Sequence, residues 1–175
     1  MPRLHVIDPT TESGPGVDLL NGPLKSKQIN IFKGIANNAN VLEALLGFGQ
    51  GIKNVLSAAE HEVIALVCAE KRHCEYCTAA HTMVAKSLGI DDEASSNIRQ
   101  GNVADEKQQA LIDFTSLIIE TNGFVTDEQF DSFKAAGFDD AAIVEVVAGI
   151  ANNTFTNLFN HVNDTEIDFP IPAQV

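Results

Sequence analysis

Apolar residues in this chain recur mostly three and four positions apart, the spacing of one face of an α-helix. Val63, Leu66 and Val67 form one stripe, continued in register by Glu70. Leu111, Phe114 and Ile118 form another, with Leu117 one residue off the strict spacing. Residues 139–163 are apolar on more than one side, through Ile143, Val144, Val146, Val147, Ile150, Phe155, Leu158 and Phe159. A helix so broadly apolar lies centrally in a core or in a subunit interface. No segment shows a convincing strand-like alternation.

Start and stop signals bracket these stripes. Asn40 precedes Glu43, Ser57 precedes Glu60, Asp105 precedes Gln108 and Thr126 precedes Gln129, each by three residues. At that spacing the cap side chain and the Glu or Gln satisfy each other's free backbone donors. Asp91 and Asp139 read as further caps, and Gly89, Gly123 and Gly137 fall just past helix ends. Residues 1–25 carry Pro9, Pro15 and Pro23 with Gly14, Gly16 and Gly22, which predicts an extended arm with turns. Residues 164–175 include Phe169-Pro170-Ile171-Pro172 and read as an extended tail, because each proline pushes its predecessor out of the helical region. The prediction is an all-α domain spanning 1–175, with about seven helices between arm and tail.

Composition narrows the function. At 175 residues and 45% apolar content, the chain supports one folded domain with a sizeable core. Its net charge is −13. Residues 1–86 balance 8 basic against 8 acidic side chains, whereas residues 87–175 hold 3 against 16. An acidic chain without a basic footprint is not a nucleic-acid binder. The second half presents a solvated acidic surface, and the neutral first half is where chemistry is expected. There is no run of about 18 apolar residues, and the opening Met1-Pro2-Arg3-Leu4-His5-Val6-Ile7-Asp8 has no apolar run of signal-peptide length. The expectation is a soluble cytoplasmic protein without membrane contact. Three cysteines are too few for a disulfide scaffold, and two of them, Cys74 and Cys77, have the Cys-x-x-Cys spacing of redox or metal chemistry.

Residues 57–88 carry the informative constellation. On a helix, Cys74, Cys77 and His81 share one face, since they are three and four residues apart. His81 then lies one turn from Cys77, within hydrogen-bond reach of its sulfur, which is a thiol beside a base. Glu62 is twelve residues before Cys74, about 18 Å away on one straight helix. A break at Lys71-Arg72-His73 would fold Glu62 back toward His81 and Cys77, where a carboxylate orients the imidazole and strengthens it as a base. The same break would set Cys74 at a helix N-terminus, where the dipole favours a thiolate.

Glu62, eleven residues, Cys74-x-x-Cys77, three residues and His81 together resemble the signature of the alkylhydroperoxidase D (AhpD) family, within the carboxymuconolactone decarboxylases. The opening Pro2-Arg3-Leu4, EHEVIALV before the site and NTFTNLFNHVNDTEIDFP near the end resemble it too. The resemblance implies an all-helical fold assembled as homotrimers or hexamers, and a cysteine-based, antioxidant peroxidase. It implies Cys77 as the peroxidatic thiol, His81 as its base, Glu62 as the relay, and Cys74 as the resolving thiol that closes a disulfide. A lipoylated or thioredoxin-like dithiol partner would regenerate the pair, and no metal or bound organic cofactor is implied. Here Tyr76 stands where the best-known branch of the family has a second histidine. A phenol titrates near ~10, so Tyr76 is a poor base, and His73 is the nearest substitute.

Other readings compete. Within the enzymes these are a general thiol–disulfide oxidoreductase or a lactone decarboxylase, although the latter chemistry needs no dithiol. The non-enzymatic reading is a zinc-binding or redox-responsive oligomeric module, with His81 and then His61 or His73 completing a site begun by the two cysteines. Cys68 reads as core packing, and Tyr76 as packing or interface rather than catalysis. Asn153, Asn157 and His161 form a polar stripe at four-residue spacing, read as subunit contact or solvated face rather than direct chemistry.

Overall fold

The computed structural model describes residues 1–175 as nine α-helices with no strand. Seven are the helices expected from the pattern: α3 (Ala39–Gly51), α4 (Ala58–Lys71), α5 (Glu75–Ser87), α6 (Asp92–Gln100), α7 (Glu106–Thr121), α8 (Asp127–Ala135) and α9 (Asp140–Asn163). The two extra ones are α1 (Pro15–Asn21) and α2 (Asn30–Ile35). Residues 1–25 are therefore not an extended arm throughout. Neither extra helix has a side-chain cap, as Gly14 and Ile29 occupy the cap positions. Pro15 instead starts α1 with its ring-fixed φ, at a position where a missing N–H costs nothing. A Cβ on Gly16 would overlap the Ala36 carbonyl, so this glycine lets α1 close onto the end of α2.

The capped helices begin where their side chains can pair. Ser57 and Thr126 form complete capping boxes with Glu60 and Gln129. Asp91, Asp105 and Asp139 each accept a hydrogen bond from the amide three residues on. The cap of α3 is Asn38, not Asn40. Its carboxamide accepts from Val41 N at 3.2 Å, and Asn40 lies inside the first turn.

Helix α4 is the centre of the molecule, packed against α5, α6, α7 and α9. Residues 61–69 are buried without interruption, so the helix is apolar nearly all round because neighbours cover every side. Val63, Ile64 and Leu66 are wholly buried, each stabilising the fold by about 1.5–3 kcal/mol. Helix α9 lies alongside and buries Val146 and Ile150, while Val144, Val147, Leu158 and Val162 remain exposed on its outer face.

A second apolar cluster joins the chain ends to the site. It contains Ile7, Leu20, Ile31, Ile35 and Leu42 together with Cys74, Tyr76 and Cys77. The N-terminal end is tied to the last turn of α9: Arg3 N donates to the Asn163 carbonyl at 2.7 Å, and Leu4 N to Asn163 Oδ1 at 2.9 Å. The tail has no regular structure and returns across α2 and α6. Asn30 N donates to Asp168, and Arg99 donates to the Ala173 carbonyl, both at 2.8 Å. No helix is long and apolar enough to cross a membrane.

Candidate active site

The chain reverses where its sequence allows. Helix α4 ends at Lys71, Arg72 caps it, and His73 takes the left-handed conformation with φ 54°. Cys74 then caps α5, and its backbone N–H returns to the Ala69 carbonyl at 2.9 Å. Glu62 lies ten residues before Arg72 and His81 nine after it, so the two stand at one height on adjoining helices. His81 Nδ1 and Glu62 Oε2 are 2.8 Å apart. An ionised carboxylate only accepts hydrogen bonds, so opposite one Nδ1 is the donor and a neutral imidazole keeps its lone pair on Nε2.

The sulfurs occupy the first turn of α5. Cys74 Sγ accepts from Cys77 N at 3.4 Å, which makes this cysteine the helix cap. Cys74 and Cys77 form a disulfide, with Cα atoms 5.3 Å apart. Both lie at the positive end of the helix dipole, which favours thiolate when the bond is reduced. They are nearly sealed, at 1% and 3% exposure, whereas the His81 side chain is 26% exposed. His81 is thus the member of the site that meets solvent.

One expected contact is absent. No hydrogen bond joins His81 to Cys77. The side chain that reaches the sulfurs is Asn160 on α9, whose Nδ2 lies 3.2 Å from Cys77 Sγ and 4.0 Å from Cys74 Sγ. The polar stripe of α9 also differs from its reading. Asn153 and Asn157 are buried within the protomer rather than at a solvated face, and only His161 is exposed. The inward face continues to Asn160, seven residues from Asn153, because two turns of helix take about seven residues and not eight.

The other singled-out residues have structural surroundings. Tyr76 is buried, its hydroxyl oxygen accepts from Ile31 N at 3.2 Å, and its ring meets Phe169 edge-on at 5.4 Å. Burial pushes its phenol pKa well up, with Asp168 acting in the same direction, so Tyr76 stays protonated. His73 is exposed in the turn and its side chain makes no hydrogen bond to the site. Cys68 is buried in the core, and burial pushes its thiol up to about 12, only partly opposed by Arg72. No three His, Cys, Asp or Glu side chains converge in an arrangement suited to a metal ion.

A second Glu–His pair lies beside the first. His61 Nε2 is 2.6 Å from Glu145 Oε1, and both side chains are buried. Glu145 also accepts from the backbone N–H groups of Asn54, Val55 and Leu56. Burial raises the Glu145 pKa, but the bonds from His61 and these amides outweigh it and leave it below its ordinary value. The sequence offers His61 only as a spare zinc ligand, since its partner is 84 residues away.

Residues 39–99 match the carboxymuconolactone decarboxylase family model, a span that contains Glu62, Cys74, Cys77 and His81. The match covers about a third of the chain, and the fold around it is AhpD-like. An uncharacterized peroxidase-related protein of Ralstonia eutropha JMP134, an alkylhydroperoxidase AhpD core, superposes with TM-score 0.84 at 15% identity, covering 95% of this chain and 92% of its own. A peroxidase-related protein of Silicibacter sp. TM1040 gives 0.79 at 19% identity, over 94% and 89%. The debrominase Bmp8, in its apo form, gives 0.72 at 19% identity, over 88% and 84%. No curated protein matches this sequence. The AhpD-like fold explains why one helical hairpin gathers residues spread over twenty positions.

Proposed function

We propose that this protein is a thiol-dependent peroxidase that reduces hydroperoxides through Cys77. The observation that carries the reading is the 2.8 Å bond from His81 to Glu62 beside a Cys74–Cys77 disulfide at a helix N-terminus. After reduction, the Cys77 proton passes to His81 Nε2 through an intervening water, with Glu62 stabilising the imidazolium. The thiolate attacks the proton-bearing oxygen of R–O–O–H. The S–O bond forms as the O–O bond breaks, and the departing R–O⁻ takes the proton from His81, giving R–OH and Cys77 sulfenic acid. Cys74 then attacks the sulfenic sulfur, water leaves, and the disulfide closes. A lipoylated or thioredoxin-like dithiol returns the two electrons by exchange. The cycle requires no resident metal or organic cofactor. It suits a reducing compartment such as the cytoplasm, and the exposed apolar stripe of α9 suits assembly as a homotrimer or hexamer.

The test is consumption of hydrogen peroxide and cumene hydroperoxide by the reduced protein, with dihydrolipoamide or reduced thioredoxin as donor. Cys77→Ser abolishes consumption, whereas Cys74→Ser leaves a sulfenic acid that dimedone traps. Equal trapping in both variants, or one equivalent of tightly held zinc in the purified protein, contradicts the reading. Similarity in fold to a debrominase, solved in one form with 2,3,4-tribromopyrrole, supports a second substrate for the same dithiol: a carbon–bromine bond replaced by C–H, with bromide leaving as the two thiols give up two electrons and close the disulfide. A brominated pyrrole belongs in the same assay, and release of bromide with hydroperoxides inert would favour that substrate class.

A further inference from the structure

Asn160 is buried at 4% exposure, and its two amide heads are in opposite situations. Nδ2 is 3.2 Å from Cys77 Sγ, while Oδ1 is buried with no hydrogen-bond partner. A disulfide or thiolate sulfur accepts and does not donate, so the nitrogen is the atom that belongs toward it. The unpaired oxygen is the anomaly, because leaving a buried acceptor unsatisfied costs free energy that native structures rarely tolerate. The amide oxygen lies about 2.3 Å from its nitrogen, which keeps Oδ1 within about 5.5 Å of the sulfur. A molecule reacting at that sulfur is therefore within reach of it. Asn157, one turn earlier on the same face, is wholly buried and has neither amide atom paired. This wall of α9 is polar and enclosed, and of the four amide atoms at Asn157 and Asn160 only Asn160 Nδ2 has a partner.

We infer that Asn160 is a catalytic residue that binds both reactants of the proposed peroxidase step: Nδ2–H donates to the Cys77 thiolate, and Oδ1 accepts the O–H of the attacked hydroperoxide. This assignment rests on the peroxidase reading and deepens it. A hydrogen bond to an ionised sulfur is stronger than one to a neutral thiol, so the amide favours the thiolate. In R–O–O–H the attacked oxygen carries the proton, and an acceptor beside the sulfur holds that oxygen, rather than the substituted one, in line for attack. The S–O bond forms there, the electron pair leaves on R–O⁻, and the proton for R–OH comes from His81. The hydroperoxide O–H is retained as the sulfenic acid O–H, so Asn160 gains and loses nothing. A substrate without that O–H, such as a dialkyl peroxide, leaves Oδ1 unpaired and is a poor oxidant for this site.

The experiment uses the full-length protein in the Cys74→Ser background, with Asn160 retained or changed to Ala or, isosterically, to Asp. Alkylation by iodoacetamide across pH reports the Cys77 titration, and stopped-flow sulfenic acid formation reports the peroxide step. Asn160→Ala should raise the apparent thiol pKa by about one unit and Asn160→Asp by more, since a carboxylate faces the thiolate. Above both pKa values, iodoacetamide rates should converge with those of the Asn160 protein. Rates with hydrogen peroxide should remain about tenfold slower, reflecting the lost acceptor contact in the Ala variant. An unchanged titration in both variants overturns the donor assignment, and peroxide rates that converge at high pH overturn the acceptor assignment. A protein inert to every hydroperoxide that still shows the pKa shift fails the peroxidase reading while keeping the amide–thiolate contact, so the two failures are separable.

Discussion

Two Glu–His pairs begin from adjacent residues of α4 and end in different circumstances. His61 meets Glu145 of α9, with side chains 7% and 6% exposed, and the carboxylate is saturated by the imidazole and three backbone amides. Glu62 meets His81 of α5, with 10% and 26% exposed, and its one hydrogen bond is to that imidazole. The first carboxylate has no acceptor capacity left to offer a reaction; it pins the loop before α4 to the long helix. The second keeps capacity, faces solvent through its histidine and stands beside a redox-capable sulfur pair. The same two side-chain types thus serve as a fastener in one place and, under the proposed function, as a proton relay in the other, according to what else saturates them.

The sharpest way to break this comparison is to remove each base. His81→Ala should lower hydroperoxide turnover by about 10²–10⁴-fold and leave the urea midpoint close to that of the unaltered protein. An unfolding loss comparable to that of Glu145→Ala would mean that both pairs are fasteners. Glu145→Ala should cost about 3–5 kcal/mol in urea unfolding, because a buried histidine and three amides lose their acceptor. Glu62→Gln should cost no more than about 1 kcal/mol by the same measurement.

Acid should separate the pairs further. The folded pKa of Glu145 lies below its ordinary 4.5. Its contribution is therefore fully present above that pH and is lost as pH falls through the lower, folded value. Urea midpoints measured downward from pH 4.5 should drop for the unaltered chain, and Glu145→Gln should remove that share of the slope. An identical slope in the variant would take Glu145 out of the acid response. The smallest effect is expected at Tyr76→Phe, which removes the acceptor for Ile31 N. A loss of about 1 kcal/mol corresponds to roughly fivefold faster proteolytic release of the 165–175 tail.

What could be read from the chain divides along physical lines. The seven helices announced by paired start signals or by the cysteine motif were legible, because caps and stripes are local. Helices α1 and α2 were not, since Gly14 and Ile29 give no cap and their stability comes from packing on distant elements. Three asparagines at 37, 38 and 40 left the start of α3 ambiguous, and Glu43 pointed to the wrong one. The Glu62–His81 meeting was legible because equal helix arms flank one break. Asn160 was not, because four-residue spacing led to His161: after Asn153, residue 160 returns to within about 20° of the same direction and residue 161 overshoots by about 80°. His61 and Glu145 were invisible as a pair, since nothing local links residues 84 apart.

Asn163 ties the start of the polypeptide to the end of α9. Arg3 and Leu4 donate to it, its own Nδ2 donates to Thr165 at 3.0 Å just past the helix, and it sits one turn beyond Asn160. An affinity handle fused ahead of Met1 therefore pulls on the helix that holds the amide against the sulfur. Rate constants for this protein are best collected on tag-free material, and a handle is better inserted in the exposed turn near Gly123, at the far end of α7.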